Sequence, residues 1–219
     1  MNLIHKASMK GDLKEIERQL KGNANFDVFD KHGYTSLMWA AQNGHLEVVK
    51  KLIKHGCDVK RNSNGFTALH AASAGGHEKI AKMLIDKGVN VNAKEHEDGR
   101  TPLHWAVQEG NLKVSKLLLK CGAKINSIDD SGFSPLIIAV TEGHEEIVEF
   151  LIKNKSNINL NGKLGTALHN ACAWNQEKIV NVLIKNGARK NVLDKKGKMP
   201  IDYAIKYGHQ GVVKLLKVK

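Results

Sequence analysis

Histidines are the residues of this chain whose possible chemistry needs explaining first. His104 stands beside Trp105 in "TPLHWA", at the start of a predicted helix, where an imidazole could act as a general base or a metal ligand. The same position recurs, however, in three other stretches as His5, His70 and His169. A catalytic histidine needs one nucleophile or acid held beside it, so four copies of the site are not expected of an enzyme. The pattern favours a structural role for all four.

A second set of histidines follows a glycine at the start of another predicted helix: His45, His77, His144 and His209. The stretches "HEKIA" and "HEEIV" lack the second histidine, four residues on, that a zinc protease requires. The sequence also has no glycine-rich phosphate loop, no GxSxG motif and no paired carboxylates that stand apart from the rest. It therefore predicts a protein that is not an enzyme and has no metal site and no cofactor.

The cysteine pattern and the N-terminus indicate an intracellular protein. Cys57, Cys121 and Cys172 are odd in number and lack the CxxC spacing, so they are interpreted as small apolar side chains in a reducing compartment. The first twenty residues contain no apolar run, which predicts neither a secretory signal nor a membrane span. Cytoplasm or nucleus is the expected location, and delivery into a host cell stays open.

The histidine-bearing stretches belong to a repeat that fills the chain. One apolar position recurs every 32 to 34 residues, at Leu37, Leu69, Leu103, Leu136, Leu168 and Ile201. Stepping back one period from the first of these reaches Ile4, so seven repeats are predicted. Their approximate bounds within a single domain, 1–219, are 1–29, 30–61, 62–95, 96–128, 129–160, 161–193 and 194–219.

Each repeat carries signals for two short helices followed by a turn. In the fourth, Thr101 is a good N-cap, Pro102 suits the first helical position, and Gly110 can end the helix in the left-handed conformation. The stretch "NLKVSKLLL" then has one apolar face, and Gly122 closes it before an extended segment. Two short helices cannot bury their apolar faces alone, so neighbouring repeats must stack.

These motifs resemble those of the ankyrin-repeat family over essentially the whole chain. The first-helix motif is carried by "TALHAA" (67–72), "TPLHWA" (101–106) and "TALHNA" (166–171), and the second helix by "GHLEVVKKLIKHG" (44–56). The resemblance implies an all-α repeat solenoid of helix pairs joined by β-hairpin loops, with capping repeats at both ends. It also implies that the first-helix histidines bond neighbouring backbone. Two hairpins depart from the pattern, since 92–99 is one residue longer and 159–165 is shorter with displaced glycines.

The resemblance further implies that partners bind to a concave face formed by hairpin tips and first helices. Residues on that face that the framework does not need are candidate contacts. Aromatic candidates are Tyr34, Trp39, Phe66, Trp105, Phe133, Trp174, Tyr203 and Tyr207. The other candidates are Arg100, Glu109, Ile138 and Glu142. Aromatic side chains are common hot spots of protein interfaces, although packing against an adjacent repeat is the competing explanation for the rings. The predicted function is non-catalytic binding of a protein partner by a monomer.

The distribution of charge along the chain indicates an alternative function, the binding of a polyanion. The net charge is +12, and residues 185–219 hold +8 of it, with ten basic and two acidic residues. The basic end comprises Arg189, Lys190, Lys195, Lys196 and Lys198, and it is the candidate site for nucleic acid or another polyanion. The central hairpins carry Glu95, Glu97, Asp98, Asp129 and Asp130. These acidic residues are expected to interrupt a continuous basic track, which favours the protein partner.

Overall fold

The computed structural model describes residues 2–22 and 24–217, and its regular structure there is almost entirely helical. The chain divides into two compact units, Met1–Lys124 and Ile125–Lys219. The first contains α1 (Leu3–Lys10), α2 (Leu13–Lys21), α3 (Ser36–Gln42), α4 (Leu46–Lys54), β1 (Asn62–Ser63), β2 (Phe66–Thr67), α5 (Ala68–Ala74), α6 (Glu78–Asp86), α7 (Pro102–Gln108) and α8 (Leu112–Lys120). The second contains α9 (Pro135–Thr141), α10 (Glu145–Lys153), α11 (Ala167–Ala173), α12 (Glu177–Lys185), α13 (Pro200–Lys206) and α14 (Gln210–Lys217).

The first helices of the second to sixth repeats begin where the sequence predicts. The N-cap residues are extended: Thr35, Thr67, Thr101, Ser134 and Thr166. The side chains of Thr35, Thr67 and Ser134 each accept a hydrogen bond from an amide of the first turn, which would otherwise be unpaired. The hydroxyls of Thr101 and Thr166 lie instead 2.8 and 2.9 Å from a histidine Nδ1. The helices then run seven residues and turn through a left-handed residue, which is Gly110 after α7 and Asn175 after α11. Asparagine tolerates this conformation better than most residues, which explains its replacement of glycine.

The second helices are amphipathic and supply the other half of each core. In α8, Val114, Ser115 and Leu118 are buried, whereas Lys113 and Lys116 are exposed. Within the first unit, α1, α3, α5 and α7 pack side by side, and α2, α4, α6 and α8 form a second row. The second unit repeats this with α9, α11 and α13 beside one another and α10, α12 and α14 behind them. The all-α repeat architecture is confirmed.

The hairpins between repeats contain little strand. One short ladder pairs Asn62 with Thr67 and Ser63 with Phe66, and its tip is a two-residue turn, Asn64–Gly65, with both φ angles positive. The shortened hairpin at 159–165 also closes around a two-residue turn, because Gly162 and Gly165 exchange backbone hydrogen bonds, but its turn residues Lys163 and Leu164 do not have positive φ angles. The other tips are closed by backbone hydrogen bonds such as that from the Asp129 amide to the Phe133 carbonyl, at 3.0 Å.

Candidate functional site

The first-helix histidines are buried and bonded to backbone. The amide of Thr67 donates to Nδ1 of His70 at 3.0 Å, so Nδ1 carries no proton and Nε2 must be the donor. Nε2 lies 3.0 Å from the Ala93 carbonyl and 3.2 Å from that of Arg100. The ring therefore ties the helix start to the following hairpin. His169 repeats this arrangement, with the Thr166 amide on Nδ1 and the Lys198 carbonyl on Nε2.

Of the other two first-helix histidines, His104 keeps the bond from a threonine amide and His5 lacks it. Nδ1 of His104 accepts from the Thr101 amide at 3.0 Å, as in the third repeat. His5 places Nε2 at 3.0 Å from the Val28 carbonyl, but its buried Nδ1 has no hydrogen-bond partner. The first repeat has Asn2 at the N-cap instead of threonine, and no amide reaches the ring as it does in the third, fourth and sixth repeats. The structural role of these histidines stays a prediction, which the bonds to backbone support.

Burial makes the rings of His70 and His169 poor acid–base groups. It lowers the pKa of His70 to about 4, and the bonds to Arg100 and Ala93 offset only part of that effect. Burial also lowers the pKa of His169. It raises the pKa of the Cys57 and Cys172 thiols to about 12, so these side chains are neutral at pH 7. Among the described residues no cluster of three or more histidine, cysteine or acidic side chains could hold a metal ion.

The second-helix histidines connect adjacent repeats. Nε2 of His45 lies 3.0 Å from the Met9 carbonyl in the preceding repeat, and Nε2 of His77 lies 2.9 Å from that of Gln42. In the second unit, His209 bonds the Ala173 carbonyl at 3.0 Å. Each of these rings satisfies a carbonyl near the end of the preceding first helix. They are therefore occupied as structural hydrogen-bonding groups.

Buried hairpin carboxylates are a feature that sequence reasoning missed. Glu95, Asp129 and Asp194 are buried, and Asp30 is half-buried. Asp30 accepts from the His32 and Tyr34 amides and from Trp39 Nε1 at 2.9 Å. Burial alone would raise its pKa, but these hydrogen bonds together hold the pKa below its usual value. Asp194 occupies the same position in the last repeat and accepts from the hydroxyl of Tyr203 at 2.5 Å. The sequence did contain a signal, since an acidic residue recurs four or five residues before four candidate contacts of the hairpins, Tyr34, Arg100, Phe133 and Lys198.

Two of the acidic residues expected on the surface are therefore assigned wrongly. Glu95 and Asp129 are each 4% exposed, because their carboxylates face into the hairpin. Glu95 accepts from the amides of Glu97, Asp98 and Arg100. This hairpin is the one with an extra residue, and the longer side chain of glutamate spans it. Glu97, Asp98 and Asp130 are exposed as predicted.

Replacing Asp194 with alanine is expected to lower the free energy of unfolding by about 2 to 3 kcal/mol. The change removes a charged acceptor from two amides and from the Tyr203 hydroxyl, and hydrogen bonds to charged groups contribute about 1.5 to 3 kcal/mol. Urea unfolding at pH 7 measures the effect. The matched control is Asp130→Ala, an exposed hairpin carboxylate that should change stability by less than about 0.5 kcal/mol. Equal effects of the two changes would contradict the assignment.

The predicted aromatic contacts of the first unit form one connected cluster. The ring centroid of Tyr34 lies 4.6 Å from that of Trp39 and 5.4 Å from that of Phe66, which in turn lies 5.9 Å from Trp105. The Arg100 guanidinium lies 5.8 Å from the Trp105 ring. All five side chains are half-buried. The rings therefore support one another across adjacent repeats and also leave part of their surface to solvent.

The predicted contacts of the second unit separate into three groups. Ile138 is only 5% exposed, so it offers little surface to a partner. Phe133 is half-buried, and Glu142 is exposed. Trp174, Tyr203 and Tyr207 come together with Lys196 around one groove. Trp174 is 63% exposed and Tyr207 is 50% exposed, which makes this groove the most open aromatic surface among the predicted contacts.

The remaining charged candidates lie at the surface. Glu109 is exposed in the first unit. In the second unit Arg189, Lys195, Lys196 and Lys198 are exposed, and Lys190 is half-buried. The only acidic residues of the last hairpin and its helix, Asp194 and Asp202, bond backbone amides. The charge presented by this segment is therefore positive.

Paired short helices joined by tight hairpins define the chain as a helical repeat protein. A family model described as "Ankyrin repeats (3 copies)" matches residues 4–95, 93–163 and 159–219. The chain therefore belongs to the ankyrin-repeat family. Members of this family generally serve as protein–protein interaction modules, and the fold is a known non-catalytic scaffold.

Individual relatives are similar over shorter stretches. A fowlpox virus protein, "Putative ankyrin repeat protein FPV223", is 33% identical over 87 residues, which are 39% of this chain and 60% of that protein. The Drosophila melanogaster "E3 ubiquitin-protein ligase Ufd4" is 33% identical over 95 residues, or 42% of this chain and 3% of the ligase. The chain thus matches less than two thirds of each relative's length.

The fold agrees with a solved structure over its full length. The human ASB11 ankyrin repeat domain superposes with a TM-score of 0.89, covering 100% of this chain and 99% of that one at 22% identity. At this identity the likeness concerns the fold. Within the described residues, no helix combines the length and apolar character that crossing a membrane requires.

Proposed function

We propose that this chain is a non-catalytic interaction module that binds a protein partner through the hairpin tips and first helices of its repeats. The proposal rests on one observation about the side formed by hairpin tips and first helices: its framework groups are already hydrogen-bonded, whereas several of its aromatic rings stay exposed. The histidines are bonded to backbone, whereas Tyr34, Phe66, Trp174 and Tyr207 keep aromatic surface exposed. Buried, hydrogen-bonded groups hold the framework, and the solvent-facing rings are available for contact.

The partner is a protein in the compartment where the chain acts, which we propose to be the cytoplasm or nucleus. Three free cysteines, two of them buried, fit a reducing environment. The fowlpox relatives suggest an adaptor or effector role inside a host cell. We further propose that the chain acts as a monomer and forms one domain of seven repeats.

A pull-down with matched variants tests this function. The tagged full chain is exposed to lysate of the source cell or its host at about 0.15 M and about 0.5 M salt. The variant Tyr34→Ala/Phe66→Ala removes two rings of the first unit, and Lys54→Glu/Lys113→Glu/Lys120→Glu changes exposed lysines on second helices as a control. Circular dichroism melting curves confirm that each variant is folded. We expect a protein partner that persists at the higher salt, is lost or reduced with the aromatic variant, and is retained by the lysine control.

The exposed basic end favours one alternative, binding of nucleic acid or another polyanion. That function predicts recovery at low salt only, since each phosphate contact releases counterions. It also predicts loss of binding in Lys195→Glu/Lys196→Glu/Lys198→Glu and no effect of the aromatic variant. This combination of results would contradict the proposed function and identify the basic end as the site.

A further inference from the structure

A groove of about 590 Å³ lies on the first-helix side of the second unit, and we call it the C-terminal groove. Its lining includes Leu164, Asn170, Trp174, Lys196, Tyr203 and Tyr207. Leu164 is 51% exposed, so it adds an open apolar side chain to the exposed rings of Trp174 and Tyr207. The volume falls in the range of ligand sites, and the exposed apolar surface is of the kind that marks a binding surface.

The exposed rings are not required by the fold. Trp174 and Tyr207 occupy the C-cap of α11 and of α13, a position held in the second to fifth repeats by Asn43, Gly75, Glu109 and Glu142. These small or polar residues end the same helix with the same type of backbone hydrogen bond. Trp174 also stacks on no other ring within the described residues, unlike Trp105, which packs against Phe66. A large aromatic side chain at this position therefore adds exposed surface that the helix end does not need.

The charge around the C-terminal groove is positive. Lys196 lines it, and the Nζ of Lys206 lies 4.9 Å from the centroid of the Tyr207 ring. Lys195 and Lys198 are exposed on the adjoining hairpin. The carboxylate of Asp194 is buried and bonded to Tyr203, and that of Asp202 accepts from the Met199 amide at 2.7 Å. An occupant with carboxylates beside an apolar group would therefore complement both the charge and the lining.

Most polar groups in the floor of the groove are already bonded within the protein. The Asn170 amide nitrogen donates to the Thr166 carbonyl at 3.1 Å, and both ring nitrogens of His169 are occupied. Reading nucleobases requires several donors and acceptors aimed at their edges, and this floor leaves few of them unbonded. A single cluster of lysines is also a short track for a polyanion. Both features favour a peptide over a nucleic acid.

We infer that the C-terminal groove binds an extended acidic segment of a partner protein, which inserts one large apolar side chain against Trp174 and Tyr207 while its carboxylates meet Lys196 and Lys198. The inference rests on the proposed function and specifies the chemistry of one docking site. Aromatic rings in a partly enclosed groove make the apolar contact the main source of affinity. The lysines contribute long-range attraction that salt weakens.

Selection from a display library of random peptides, roughly 12 residues long, tests the inference with the full chain as bait. Such a peptide spans about 40 Å when extended, enough to cross the repeats of this unit. We expect the selected peptides to share an aromatic or large aliphatic residue flanked by aspartate and glutamate. A synthetic selected peptide should bind Trp174→Ala/Tyr207→Ala at least about 10-fold more weakly than the unchanged chain. The control Ile128→Ala, an exposed apolar side chain outside the groove lining, should retain the affinity.

Other results separate this inference from the proposed function. Peptides that are not acidic, or that bind the Trp174→Ala/Tyr207→Ala variant unchanged, would overturn the inference. If binding is instead lost in Tyr34→Ala/Phe66→Ala, the interaction function stands and the docking site is elsewhere. Failure to select any peptide would also overturn the inference, whereas the pull-down decides the function independently. An oligothymidylate of about 20 nucleotides that competes with the peptide and requires Trp174 would identify a nucleic acid as the occupant.

Discussion

His70→Ala is expected to lower the free energy of unfolding by about 3 kcal/mol at pH 7. The imidazole is fully buried and connects the Thr67 amide to the carbonyls of Ala93 and Arg100. Its removal leaves buried polar groups without partners and opens a cavity, and the two effects together cost about 2 to 4 kcal/mol. Urea unfolding followed by circular dichroism measures the change. The control is His55→Ala, an exposed histidine in the same unit, for which we expect less than about 0.5 kcal/mol.

The same histidine should make stability depend on pH in a defined direction. Its pKa is about 4 in the folded protein, against an ordinary value of 6.5, so the unfolded chain takes up the proton first as the pH falls. The stabilising contribution is complete above about pH 6.5 and declines towards pH 4. A difference of about 2.5 pH units corresponds to about 3 kcal/mol at 1.36 kcal/mol per unit. His70→Ala should therefore lose less stability than the unchanged protein between pH 7.5 and 4.5. Parallel curves for the two proteins would show that the ring is not kept neutral by burial.

Gly65→Ala is the second change with a large expected effect, again about 3 kcal/mol of destabilisation. Gly65 has φ of +80° at the tip of the β1–β2 hairpin, where an alanine costs about 1 to 2 kcal/mol in left-handed strain. A β-carbon there would also overlap the carbonyl oxygen of Lys94 in the next hairpin. Overpacking of this kind typically adds about 1 to 3 kcal/mol, because backbone must move to relieve it. Thermal and urea unfolding would measure the loss.

Gly56→Ala separates the two contributions to that effect. Gly56 has nearly the same φ, +84°, but a β-carbon there meets no atom within 4 Å. We expect this change to cost only the strain, about 1 kcal/mol. If both substitutions destabilise the protein equally, the close approach of the two hairpins is not a significant constraint.

Periodicity was sufficient to predict the helices because their signals are local. The N-cap threonine, the apolar positions and the terminal glycine all lie within about ten residues of one another, and the structure begins α7 at Pro102 and α8 at Leu112 as these signals indicate. The repeat count also follows from the sequence, since each period supplies one helix pair. The shape of the shortened hairpin at 159–165 did not follow. That shape depends on the backbone bridge between Gly162 and Gly165, and the positions of glycines in a sequence do not specify which two residues will pair across a turn.

The candidate site was predictable only in part, because exposure depends on what neighbouring repeats cover. Position in the repeat identified Tyr34, Phe66 and Trp174 equally well as aromatic candidates. The structure distinguishes them, since the first two rings support each other, whereas Trp174 stands open over the C-terminal groove. The hairpin carboxylates were missed for the same reason. The donors that bond these carboxylates, such as Trp39 Nε1 for Asp30, come within reach only when the hairpin folds back against its helix.

The histidine bonds between repeats have a consequence for how this protein can change over generations. His45 reaches back only to Met9, and His77 only to Gln42, so each bond joins a repeat to its immediate predecessor. In a repeat array of this kind the stabilising interactions join nearest neighbours, so a substitution changes the stability of its own repeat and the adjacent one and has little effect beyond them. Surface residues of one repeat can therefore diversify without requiring compensating changes in distant ones. Selection can alter what this chain recognises one repeat at a time while the rest of the array stays unchanged.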